Sequence, residues 1–182
     1  MGIRPSLLLW LSFTALAALC LLLQPALRGG AYAADKSIAN NPRKGSGLPI
    51  PRFASLRSDE VNVRSGPGTR YPVEWVFKRK GMPIEIVAEY DIWRKIRDWQ
   101  GASGWVHQSL LTGKRSFIIP AKPANLHKTP ATSAEVVAKL EPEVMGEIRS
   151  CAGDWCRVRV SSVSGWIERT GLWGVYKSEP IN

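Results

Sequence analysis

The sequence predicts an all-β protein in which two tandem copies of a small closed barrel follow an export leader and a flexible tether. Three observations carry that expectation. An apolar run opens the chain and ends at a small-residue triplet. The remainder repeats itself at a nearly constant offset. The local pattern after the leader alternates with period two, and no window sustains a helical period over three turns.

Arg4 gives the leader a positive start, Leu7 to Leu23 are almost wholly apolar, and Pro25, Gly29 and Gly30 precede Ala31, Tyr32 and Ala33. Export machinery reads this order of charge, apolar stretch and AxA site, so residues 1–33 are expected to be a signal peptide cut between Ala33 and Ala34. Retention as an N-terminal anchor is the competing reading, because the run reaches the lower edge of the roughly 17 to 25 residues that span a bilayer. Cys20 follows Leu19 and precedes more leucines, so it reads as leader filler rather than a lipid-attachment site. After the cut, no stable membrane insertion is expected.

The whole chain carries 25 Lys and Arg against 15 Asp and Glu. Arg4 and Arg28 leave with the leader and no acid does, so 23 basic residues face 15 acidic ones in the mature part. That surplus predicts an anionic neighbour such as cell-wall polymer or a membrane surface. Apart from Lys78, Arg79 and Lys80 the charges are scattered along apolar strands, and with export this excludes nucleic acid as a partner.

Residues 34–52 form the tether, rich in Asn, Gly and Pro and with little to bury. The first barrel is expected over 53–114, the second over 115–176, and a short tail over 177–182. Asn62 to Val73 (NVRSGPGTRYPV) is answered by Asn125 to Val136 (NLHKTPATSAEV), Trp93 to Arg97 by Trp155 to Arg159, and Ser103 to Val106 by Ser164 to Ile167. Pro83 to Tyr90 and Trp93 to Arg97 alternate apolar and polar residues around a tight Asp91–Ile92 connection, the signature of a hairpin. Val144 to Cys151 and Trp155 to Val160 flank Ala152, Gly153 and Asp154 in the same way. About five short strands in about 60 residues close into a small barrel rather than an open sheet.

On Asn62 to Gly68 (NVRSGPG), the hairpin ending at Trp93 and Gly104 to Val106 (GWV), the first copy resembles the bacterial SH3-like domain. The second keeps Asn125, Pro130, Trp155, Gly165 and Trp166 but has His127, Thr129 and Ala131 where the first has Arg64, Gly66 and Gly68. The pair resembles exported tandem proteins of proteobacterial type. The resemblance implies SH3-like barrels that target peptidoglycan stem or bridge peptides.

Gly66 and Gly68 are expected to adopt positive φ on either side of Pro67, with Asn62 bonding nearby backbone. Val63 should point inward and Arg64 outward. Trp105 and Trp166, each after a glycine, read as core anchors. Trp93 and Trp155 suit either core or surface, while Tyr71, Trp75 and Trp99 are surface candidates. The candidate ligand-binding set is therefore Asn62, Arg64, Tyr71, Trp75, Trp93 and Trp99, an aromatic groove suited to an extended peptide or sugar chain. Cys151 and Cys156, separated by four residues, should face each other across a hairpin and form a disulfide after export.

No cofactor or metal is expected, since His107 and His127 share no ligand spacing with other metal-binding side chains. Three functions compete: a non-catalytic binding module for cell-wall peptide, an adaptor docking another envelope protein, and a cell-wall hydrolase. The last fails for want of a nucleophile with an oriented base, so the chain is read as no enzyme, residing in the periplasm or cell envelope.

Overall fold

The computed structural model describes residues 45–182; the leader, its cleavage site and the first part of the tether lie outside the described residues. The first barrel is a sheet of seven strands: β1 Arg52–Leu56, β2 Val61–Arg64, β3 Val73–Phe77, β4 Pro83–Tyr90, β5 Trp93–Arg97, β6 Ser103–His107 and β7 Leu111–Thr112, in the spatial order β3-β2-β6-β5-β4-β1-β7. The second is a sheet of six: β8 Ser116–Ile118, β9 Ala124–His127, β10 Val136–Leu140, β11 Met145–Ala152, β12 Trp155–Val160 and β13 Val163–Glu168, in the order β10-β9-β13-β12-β11-β8. β8 to β13 thus repeat β1 to β6 in sequence and in space.

Closure is also repeated. After the 3-10 turn Gln108–Leu110, β7 pairs with β1 through Leu56 opposite Leu111. After the turn Arg169–Gly171, Trp173 bridges Ile118 in the second barrel. A returning segment therefore covers the first strand's free edge in both copies. The long strands β4 and β11 each carry a bulge at the same repeat position, between Ile86 and Ala88 and between Ile148 and Ser150. A bulge bends and twists the strand, which lets one strand serve both halves of a small barrel.

Each two-residue hairpin tip places its first residue in the left-handed region: Asp91 at φ 51°, Gly153 at 56° and Ser161 at 52°. Such mirror turns match the twist of the strands they join. The loop between the cysteines is shorter than the sequence suggested, because Ala152 pairs with Trp155 and leaves only Gly153 and Asp154 unpaired. Cys151 and Cys156 are directly opposed and joined by a disulfide.

Two separate cores fill the barrels, one built on Leu56, Val61, Val63, Ile84, Ile96 and Val106, the other on Phe117, Ile119, Leu126, Cys156, Val158 and Ile167. Aromatic rings join them. Phe53 of β1 meets Trp173 edge-on at 4.9 Å and Tyr176 at 4.6 Å, and the Tyr176 hydroxyl donates to Glu85 of β4 at 2.7 Å. The segment 177–182 runs back along the second barrel, where Ile181 bridges Cys151 and packs on the core and Glu179 pairs with Arg115. At the matching place on the first barrel, Ser46 binds Glu89 through its amide and hydroxyl.

Candidate functional site

Register fixes which side chains share the outer face of the first barrel. Ile96 and Val106 lie in the core, so their neighbours on β5 and β6 point outward. One outer row runs Ala88, Lys95, Trp105, Arg64 across β4, β5, β6 and β2, and the next runs Tyr90, Trp93, His107. Trp93 and His107 touch edge to face with centroids 5.6 Å apart. Tyr90, at the tip of β4, is 42% exposed.

The loop between β2 and β3 borders these rows. Arg70 lies over the Tyr71 ring, 5.1 Å from its centroid, and its Nη2 donates to the Tyr71 hydroxyl at 3.3 Å. Those contacts, with a smaller influence from Tyr90, hold the Arg70 guanidinium above its usual pKa. The outer face thus gathers three partly exposed aromatic rings, Tyr71, Tyr90 and Trp93, with His107 and the cations Arg70 and Lys95. Flat rings beside fixed positive charges suit an extended chain bearing carboxylates.

The corresponding face of the second barrel is stripped. Its rows read Ser150, Arg157, Trp166, His127 and Ala152, Trp155, Glu168. Alanine stands for Tyr90, glutamate for His107, and Ala134 for Tyr71.

Several expected roles change. Neither Gly66 nor Gly68 has a positive φ, because the loop turns without left-handed geometry. Its backbone bonds, Gly68 N to Gly66 O and Tyr71 N to Gly68 O, recur in the second copy as Ala131 N to Thr129 O and Ala134 N to Ala131 O. Gly66 is needed because the Tyr71 ring lies where a Cβ would be. Asn62 is an ordinary exposed strand residue opposite Val76, with no side-chain hydrogen bond to the described residues.

Arg64 points outward as expected, but its Nη1 donates to Tyr71 O at 2.7 Å and Thr69 O at 3.2 Å, bracing the loop from beneath. His127 performs the same task in the second copy, with Nδ1 donating to Ala134 O at 3.0 Å. Trp75 and Trp99 are half-buried and pack against the first core, and the buried Trp75 Nε1 has no hydrogen-bond partner among the described residues. Trp105 and Trp166 lie in the outer rows, because the glycine before each occupies the inward position against β2 or β9; Trp105 is nonetheless buried, as a core anchor would be, while Trp166 is half-buried. A Cβ at Gly104 would lie 2.4 Å from Val63 Cγ1, and one at Gly165 2.7 Å from Leu126 Cγ. Of the six sequence candidates, Tyr71 and Trp93 fall on the aromatic face. Tyr90, Lys95, Arg70 and His107, which border the same face, were not among those candidates, although the alternation of the hairpin strands already placed Tyr90 and Trp93 at its tip.

Among the described residues no three His, Cys, Asp or Glu side chains cluster as a metal site, and no helix is long and apolar enough to cross a membrane.

Comparison with known proteins matches a family described as the bacterial SH3 domain twice, at residues 57–113 and 121–174. A Bacillus subtilis (strain 168) protein named "Putative N-acetylmuramoyl-L-alanine amidase YrvJ" is 29% identical over 125 residues, covering 63% of this chain and 24% of its own length. The chain therefore spans about a quarter of that relative. Two solved structures from Trichomonas vaginalis, NlpC2 and NlpC1, overlap 69% and 70% of the chain and 49% and 47% of their own lengths. They do so at TM-score 0.33 for both, with 11% and 13% identity.

Proposed function

Because the chain belongs to the bacterial SH3 domain family, we propose that it is a non-catalytic envelope protein whose first barrel binds cell-wall peptide. The observation that carries this reading is the outer face of Tyr71, Tyr90 and Trp93 with Arg70 and Lys95, complete on the first barrel, whereas the second keeps only Trp155 and Arg157 at these places and has lost both tyrosines. An extended peptide would lie across the rings and set its carboxylates against the cations. A relative named for the N-acetylmuramoyl-L-alanine bond supports a wall ligand, and the leader supports export to the periplasm or cell envelope. Both cysteines of the described chain are held in the disulfide, which leaves no free thiol there for a hydrolase.

Retention of the mature protein on purified sacculi tests the reading. Tyr90→Ala and Trp93→Ala should each weaken retention about tenfold or more, as loss of an aromatic anchor does. Arg157→Ala, on the stripped face, should leave it unchanged, and sacculi freed of stem peptides should retain little. Equal retention with and without peptides, or wild-type retention by both aromatic variants, rejects it. No retention at low salt would favour the adaptor instead, and lysis on a sacculus zymogram would favour a hydrolase.

A further inference from the structure

An open cleft of about 1120 Å³ lies between the barrels, bordered by β1, β7, β8, β11 and β12. Its lining holds six cationic side chains, Arg57, Lys80, Lys114, Arg115, Arg149 and Arg159, against one acidic side chain, Glu147. They come from both barrels, so the charge converges only because the barrels are packed together. Glu147 pairs with Arg149 at 2.7 Å and with Arg159 at 3.5 Å, and Arg115 is taken up by Glu179. Arg57, Lys80 and Lys114 have no acidic partner among the described residues; the Arg57 guanidinium donates through Nε to Leu111 O.

The repeat makes this asymmetry specific. Glu85 and Arg97 in the first barrel stand where Glu147 and Arg159 stand in the second, as directly opposed cross-strand pairs. In the first barrel Glu85 meets its own arginine at 2.5 Å and the Tyr176 hydroxyl of the junction. In the second, the same acid is shared between two arginines and the surrounding positive charge is left in excess. Like charges gathered in a concave wall raise the potential inside it and concentrate counter-ions there.

We infer that the inter-barrel cleft is a second binding site, for a linear polyanion carrying phosphates or carboxylates on successive units. Concavity separates this occupant from a membrane: a flexible chain enters a cleft lined by cations from both barrels, whereas a bilayer meets only the rim. The site is separate from the aromatic face and uses the tandem arrangement itself.

Fluorescence anisotropy of labelled linear polyphosphate and poly-glutamate, titrated with the mature chain at two salt concentrations, tests the site. Lys80→Glu with Lys114→Glu should weaken both probes about twentyfold or more at low salt and flatten the salt dependence. Lys122→Glu with Lys139→Glu, which makes the same change in net charge outside the cleft, should change binding less than about threefold. Equal losses in the two pairs would mean that only net charge matters and overturn the proposal. So would binding to vesicles of anionic lipid with none to either free polymer. Sacculus retention through Tyr90 and Trp93 is read separately, so each site can fail without the other.

Discussion

A Cβ at Gly66 would lie 2.5 Å from Cδ1 and 2.6 Å from Cε1 of Tyr71, although Gly66 itself has no left-handed φ. The second copy resolves the same conflict in reverse: Thr129 replaces the glycine and Ala134 replaces the tyrosine, with the loop's hydrogen bonds retained. Gly66→Thr should therefore cost about 1 to 3 kcal/mol through overpacking, and Gly66→Thr with Tyr71→Ala should recover most of it. Urea denaturation of the two single variants and the double variant gives the coupling energy. Additive losses would show that backbone freedom, not the ring, requires the glycine. The sequence displayed both members of this exchange, but only the ring's position over residue 66 links them. The Arg64 to His127 exchange was hidden for a similar reason: a cation read as a ligand contact spends its donors on loop carbonyls, and nothing in the residue type announces that.

The hairpin joining β4 and β5 is fastened by a different bond from its counterpart between β11 and β12. Glu89 and Arg94 are the cross-strand pair in the first barrel, 3.1 Å apart, at the position held by Cys151 and Cys156 in the second. Arg94 also donates to Asp91 O at 2.6 Å, while in the second barrel Arg169 reaches Gly153 O at 3.0 Å from the 3-10 turn after β13. Burial pushes the Glu89 carboxyl up, but the Ser46 amide, Arg52 and the Ser46 hydroxyl outweigh it and hold the group below its ordinary value of 4.5. A carboxylate held low in the folded state stabilises fully above its unfolded pKa, and that stability drains as pH falls through the folded value. Acidification below about 4.5 should therefore release the 45–51 arm and loosen this hairpin, and Glu89→Gln should remove that part of the pH dependence. Hydrogen exchange at the Ser46 amide and across β4 between pH 6 and pH 3 reads it; an unchanged profile in the variant contradicts it. Reduction of the disulfide should instead cost the second barrel about 2 kcal/mol at any of these pH values. The hairpins, the repeat and the cysteine pairing were legible because alternation and spacing are local. The outer faces were not, because a bulge between Ile86 and Ala88 shifts the phase along β4 toward Tyr90 and a glycine takes the inward place before Trp105.

At the scale of the whole molecule, the barrels act as one body because their junction is built from large rings and shared bonds. Phe53 lies against Trp173 and Tyr176, with the Arg115 guanidinium 5.7 Å from its centroid. Ser55 and Ser116 hydroxyls meet at 2.5 Å, Arg79 donates to Glu143 O at 2.9 Å, and Met145 of the second barrel packs on the first core. Burial and then Glu85 hold the Tyr176 hydroxyl protonated well above its usual range, so it donates throughout neutral pH. A 60-residue barrel alone buries little surface, and the junction supplies part of what each lacks. Phe53→Ala should remove about 2 to 4 kcal/mol and split a single unfolding transition into two, because the ring contacts two aromatic partners across the junction. Tyr176→Phe should cost only about 1 kcal/mol, since Glu85 keeps Arg97. Denaturation followed by tryptophan fluorescence and by far-ultraviolet dichroism separates the cases: coincident transitions in Phe53→Ala would mean that the cores, not the junction, set cooperativity. The same variant bears on the cleft, whose cations are brought together from both barrels by this packing. Polyphosphate affinity should fall in Phe53→Ala although no residue lining the cleft has been changed.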